Sequence, residues 1–153
     1  MTGPAEGKLP LNCEVYFSYD DKKIRIKEVS VYIHLKGYAL ARVTHLDIEH
    51  PSLNKLIQPK HGKFLTVKGF EGGIEIVFEE KTRKKIVFDE ENLKPRSVKI
   101  FSPLLNMVLQ PNVKTRTWVG GKFGGIYIGF RKPEVRKLEK IAETYFKMSP
   151  IEP

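Results

Sequence analysis

The amino-acid sequence predicts a mainly β fold: a single small antiparallel β-barrel, or a sandwich, with a C-terminal amphipathic helix. Three observations lead there. Short segments with an apolar residue at every second position recur along the chain, as strands with one buried face require. Glycine, proline and charged residues separate them at regular spacing, giving about eight strands. One convincing helical stripe follows the last strand, and a lone amphipathic helix must lie on something apolar. The 153 residues suit one domain with a real core, and no linker divides them.

Residues 1–10 carry Gly3, Pro4, Gly7 and Pro10 and are expected to be a disordered lead-in to a domain over residues 11–148. Val15, Phe17 and Tyr19 share one face of a first strand, and Asp20-Asp21-Lys22 makes a polar turn. Ile24 and Ile26 then alternate with Lys23, Arg25 and Lys27. At Lys27-Glu28 the apolar positions move from even numbers to odd ones, Val29, Val31, Ile33 and Leu35. A one-residue shift of phase marks a bulge, or a loop between two strands. Lys36-Gly37 reads as a tight turn before a strand over residues 38–48, which would set Ile33 opposite Leu40, Val31 opposite Arg42 and Val29 opposite Thr44.

Residues 50–57 read as a loop with at most one helical turn, and residues 64–67 as a strand. Ile74, Ile76 and Phe78 lead into a charged tip, and residues 86–88 return as a second hairpin. Residues 98–101 are a further strand. The apolar run 104–109, between Pro103 and Pro111, fits a buried strand or a short helix equally. Residues 113–119 alternate, a glycine-rich turn spans 120–125, and Ile126, Ile128 and Phe130 mark the final strand. Pro133 fits a first helical turn, where its missing N–H costs nothing. Glu134 suits the positive end of the helix dipole. Val135, Leu138, Ile141, Ala142, Tyr145 and Phe146 supply the apolar stripe.

A formal net charge of +9 favours anionic partners: nucleotides, nucleic acid, an acidic membrane face or an acidic protein. Cys13 is the only cysteine, which excludes an internal disulfide and any multi-cysteine metal site. No apolar run approaches the roughly 20 residues of a membrane-spanning helix. The N-terminus lacks the apolar stretch of a secretory signal, so a cytoplasmic location is expected. Gly-x-Ser-x-Gly is absent and Cys13 has no evident base, so neither an enzyme nor a cofactor is expected.

Four groups of residues carry possible chemistry. Lys23, Arg25 and Lys27 share a strand face and form a row of cations able to hold phosphates. Lysines on an edge strand equally serve to block aggregation. Lys114, Arg116 and Trp118 share another face, with Lys122 beyond, the pairing of cations and aromatic that grips single-stranded nucleic acid. Burial is the commoner fate of a large aromatic, and would turn Trp118 to the core and the threonines to water. The glycines flanking Lys122 could admit an anion, but the segment opens a strand rather than a helix and lacks the Gly-Lys-Ser/Thr ending, so it reads as a hairpin loop. His45, Asp47 and Glu49 share a face with His50 just beyond. They are metal ligands by type. Their spacing matches no metal motif, and His34 and His61 stand in unrelated places, so no metal is expected.

The order of these pieces resembles a PilZ domain, the small β-barrel that in many bacteria receives cyclic di-GMP. Lys23 and Lys27 stand at the spacing of the family's two arginines, residues 29–46 supply the strand pair, and Asp47 begins the turn motif. Residues 126–130 and 133–147 look like the closing strand and helix. Lysine replaces both arginines, Glu49 stands at the serine position and Ser52 at the glycine position. Lysine lacks the planar fork that stacks on guanine. The resemblance implies a non-catalytic signalling module that receives a small anionic ligand or docks a protein partner. Lys23, Arg25, Lys27 and Asp47 would line its ligand side. The alternative expectation is a basic β-barrel that binds nucleic acid through Lys114, Arg116, Trp118 and Lys122.

Overall fold

The computed structural model describes residues 5–19, 22–37, 42–78 and 95–145. In chain order the elements are β1 (Ala5–Pro10), β2 (Glu14–Ser18), β3 (Lys23–Arg25), β4 (Ser30–Gly37), β5 (Arg42–Glu49), a 3-10 turn (Pro51–Lys55), β6 (Gly62–Phe70), β7 (Gly73–Val77), β8 (Ser97–Phe101), α1 (Leu105–Val108), β9 (Lys114–Lys122), β10 (Gly125–Gly129) and α2 (Lys132–Tyr145). The ten strands among the described residues belong to one antiparallel sheet, ordered β1-β4-β5-β10-β9-β6-β7-β8-β2-β3. The fold is mainly β with one long C-terminal helix, as the sequence predicts, but among the described residues the hydrogen-bonded ladder does not close into a barrel.

The sheet nevertheless has to curl. Laid flat, ten strands at about 4.8 Å spacing would span some 40 Å. Yet β1 and β2 lie near opposite ends of the order and are joined by only Leu11, Asn12 and Cys13, which reach about 14 Å at most. The two ends are in fact halves of one bent hairpin. Pro10 pairs with Tyr32, and the Leu11 N–H donates to the Val31 carbonyl at 2.8 Å. Further along, the Ile26 N–H donates to the Val15 carbonyl at 2.8 Å, and Tyr16 pairs with Arg25. Between those bonds the three residues 12–14 face the four residues 27–30, so one strand carries an extra residue. Glu28 takes it up with a left-handed backbone, φ 56°. An extra residue bends a strand and sharpens its twist. This is the phase break visible at Lys27-Glu28, and it is the corner at which the ribbon turns from one end of the sheet to the other.

Residues 5–10 are not a disordered lead-in: Ala5–Pro10 pairs along β4 from Gly37 to Tyr32. Their glycine and proline content suggests a tail, but an edge strand tolerates both. The second correction is to register. Ile33 lies opposite Leu46 and Val31 opposite Ile48, with a shift between His34 and Leu35, so the β4–β5 connection is longer than two residues. Its residues 38–41 lie outside those described, as do Asp20, Asp21 and the tip and return of the hairpin over 79–94. The run 104–109 resolves as the short helix α1.

Alternate residues of every long strand point into one core, among them Ile33, Leu46, Ile48, Leu65, Ile76, Ile100, Val119, Ile126 and Ile128, all fully buried. Helix α2 adds Leu138, Ile141 and Ala142 to the same core and packs against β5 and α1. Glu134 is buried in its first turn, where the helix dipole favours a negative charge. Tyr145's side chain and Phe146, the end of the predicted stripe, lie outside the described residues. The helix thus covers the inner face, and the opposite face of β4, β5, β10, β9 and β6 turns outward. No helix among the described residues is long and apolar enough to cross a membrane.

The corner makes a testable claim. A left-handed backbone costs a residue with a Cβ about 1–2 kcal/mol, against about 0.5–1 kcal/mol of extra chain entropy for glycine. Glu28→Gly is therefore expected to raise stability by about 0.5–1 kcal/mol and Glu28→Val to lower it, read by chemical denaturation.

Candidate functional site

Outward-facing residues are usually polar and solvated. Here the outward face of β5 carries Asp47, only 1% exposed, between two strands that contribute Tyr32 and Tyr127 in register with it. An ionised carboxylate loses its water shell there and needs cations in return. Lys122 Nζ stands 3.2 Å from Asp47 Oδ2 and 3.1 Å from Glu49 Oε1, bridging the two acids. Lys8, from β1, pairs with Glu49 and lies 5.3 Å over the Tyr32 ring. Burial pushes the Asp47 carboxyl upward, the largest single effect, but His45 and Lys122 together outweigh it and hold the group below the usual aspartate range. Lys8 foremost, with Lys122, holds Glu49 below its usual value.

Lys122 is placed by its hairpin. The β9–β10 turn is the two residues Phe123-Gly124, with Gly124 at φ +87°, a backbone suited to glycine. Asn54 of the 3-10 turn clamps it: its Nδ2 donates to the Lys122 and Gly125 carbonyls, both at 2.6 Å, and its Oδ1 accepts from Gly124 N–H at 3.3 Å. The glycine-rich segment is therefore two strands and a pinned turn, not an open loop across 120–125. Asn106 of α1 clamps the β6–β7 turn in the same way, through the Phe70 and Gly73 carbonyls and the Gly72 N–H.

Beside this charged group a row of rings crosses the sheet. Phe64 on β6 meets Trp118 on β9 edge to face, centroids 5.3 Å apart. The Trp118 Nε1–H donates to the Tyr127 hydroxyl at 3.2 Å. Tyr127 lies 5.1 Å from His45, and His45 stacks on His34 at 4.6 Å and 13°. Gly120 makes the row possible: a Cβ there would stand 2.4 Å from the Tyr127 ring. Trp118 is 37% exposed and Phe64 54%, so Trp118 faces outward rather than into the core. Thr117 is buried on the opposite face of that strand, its hydroxyl donating to the Gly129 carbonyl.

Along the same outward face the register sets Phe64 opposite Trp118, Thr66 opposite Arg116 and Lys68 opposite Lys114. Two lysines directly across an antiparallel pair repel each other. Lys68, Lys114 and Arg116 are all exposed. Lys114, Arg116 and Trp118 therefore do share one surface, as their spacing predicts, while Lys122 is engaged with the two acids.

Lys23, Arg25 and Lys27 are also exposed, and Lys23 and Arg25 have partners elsewhere. Lys23 Nζ lies 4.9 Å over Phe101 and 5.2 Å over Tyr16, and Arg25 pairs with Glu14 at 3.4 Å. Asp47 answers to Lys122 and His45 instead. The sequence reading missed His34, Phe64 and Tyr127. Strand alternation put Tyr127 on the outward face, but only the cross-strand register brings these rings together. No family model matches the chain, and no curated protein or solved structure matches it. Fold and site together define an open, curled antiparallel β module with a basic and aromatic outer face; the likeness to a PilZ domain rests on residue order alone.

Two outcomes follow. Lys122→Met leaves a buried carboxylate without its bridging cation and is expected to cost about 1–3 kcal/mol at neutral pH, measured by denaturation. Burial pushes the Cys13 thiol up to about 11. Its thiolate is thus scarce at neutral pH, and alkylation of the native protein should be slow, rising about tenfold per pH unit until the pH nears that value.

Proposed function

We propose that the protein is a non-catalytic binding module that takes single-stranded nucleic acid on the outward face of β6, β9 and β10. The observation that carries this reading is the exposed Phe64–Trp118 pair continued along the same two strands by Arg116, Lys68 and Lys114. Bases stack on aromatic faces whatever their sequence, and lysine and arginine take the phosphates. Same-face residues on a strand stand about 6.8 Å apart, so rings and cations are spread along the surface rather than gathered in one pocket. Retaining Lys68 opposite Lys114 costs stability, and a bound polyanion offsets that repulsion. A receptor of the PilZ kind would need Lys23, Arg25, Lys27 and Asp47 in one cleft. The partners of Lys23 and Arg25, Tyr16, Phe101 and Glu14, favour the outer face instead.

Trp118 is the chain's only tryptophan, so its fluorescence reports on the surface directly. Adding a short single strand at low salt is expected to quench it saturably. Trp118→Ala should weaken binding, followed with a labelled strand, by about 1–3 kcal/mol. Replacing both Lys68 and Lys114 with Gln should flatten the salt dependence by about 1.4 in log–log slope, about 0.7 for each lost phosphate contact. Absence of quenching at about 50 mM salt with micromolar strand would sink the reading.

A further inference from the structure

We infer that His34, His45 and Asp47 form a binding site for one divalent first-row transition ion, of the zinc type, at the end of the aromatic row. The proposal is independent of nucleic-acid binding. It starts from the register: His34 of β4 and His45 of β5 are direct cross-strand partners, and Asp47 is the next residue of β5 on the same face. One donor atom from each of the three lies within 4.8 Å of the other two. Two imidazoles and a carboxylate are a donor set suited to zinc, nickel, copper or iron.

The second observation is the state of Asp47. Its Oδ1 is buried and accepts no aligned hydrogen bond. His45 Nε2 stands 2.8 Å away, close enough that it helps to hold the carboxyl below its usual range. An imidazole nitrogen and a carboxylate oxygen this close present two ligand atoms to a single cation. Two ligand atoms each about 2.1 Å from a zinc ion stand roughly 3.0–3.4 Å apart. The His45–Asp47 pair is a few tenths of an ångström from that bite.

The two rings are stacked at 13°, so their in-plane lone pairs run nearly parallel. One ring must rotate before both can address a single ion, and binding therefore unstacks the pair. Lys122 keeps Asp47 Oδ2 and leaves Oδ1 to the metal. Its positive charge opposes the ion, so the site is weaker than its donors alone would make it. Three protein ligands leave a coordination position for water or for an oxygen of a bound anion.

The test uses the full chain stripped with a chelator and dialysed against Zn²⁺. About one ion per chain is expected. His34→Gln and His45→Gln should each weaken binding at least tenfold, while the exposed His61→Gln should leave it unchanged. Lys122→Gln should tighten it several-fold. A readout on the unmutated chain guards against variants that fail to fold: with Co²⁺, the ring protons of two of the four histidines, His34 and His45, should shift strongly in NMR spectra. No zinc bound at about 100 µM, wild-type affinity in both histidine variants, or shifts confined to His50 and His61 would each overturn the assignment.

Discussion

Everything in this fold depends on a mismatch of one residue, three facing four, at the corner of the first hairpin. A ten-stranded sheet without that bend would be wide and flat, with its apolar residues spread over a surface one helix could not cover. The bend lets the β1–β4 half of the ribbon serve one end of the sheet and the β2–β3 half the other. The sheet then wraps a single core, and α2 needs to close only what remains beside β5 and α1. With the interior filled, function is left to the outward face.

That face is organised by two requirements that meet at Tyr127. Asp47 is buried where strands normally show water a polar group, so it draws in Lys122, which Asn54 sets through the hairpin turn. The rings need a flat neighbour, and Gly120 supplies one by having no side chain under Tyr127. The Tyr127 hydroxyl then accepts from Trp118, and its ring borders His45. Charge compensation and ring packing therefore share a residue, and a change at either end is felt at the other.

Much of the fold was legible because strand periodicity depends only on local alternation. The phase break at Lys27-Glu28, the final strand and the helix after Pro133 could be read directly, since each is a change of period along the chain. Residues 5–10 could not, because their strand exists only through pairing with β4, and Pro10 and Gly7 argue locally for a tail. The β4–β5 register failed for a related reason: Lys36-Gly37 has good turn chemistry, but the core sets Ile33 against Leu46 and lengthens the connection. For the site, alternation found Lys114, Arg116 and Trp118 as one face. It could not choose which face was buried, and Thr117, with its hydroxyl satisfied by the Gly129 carbonyl, took the inside. His34 was out of reach of any reading by spacing, because a residue's cross-strand partner is a property of register.

Asn54 and Asn106 perform one task at two places: each reaches from a short helical turn to fasten a two-residue hairpin turn ending in glycine. The hairpins they fasten, β9–β10 and β6–β7, are zipped together by β6–β9 pairing into a four-strand block. Fastened at both tips and paired on both sides, β6 and β9 have no free edge from which to fray. Local opening is cheapest where few bonds must break together. The block should be the slowest-exchanging part of the amide backbone, with the bent ribbon opening before it, so the proposed binding surface sits on the least yielding portion of the molecule.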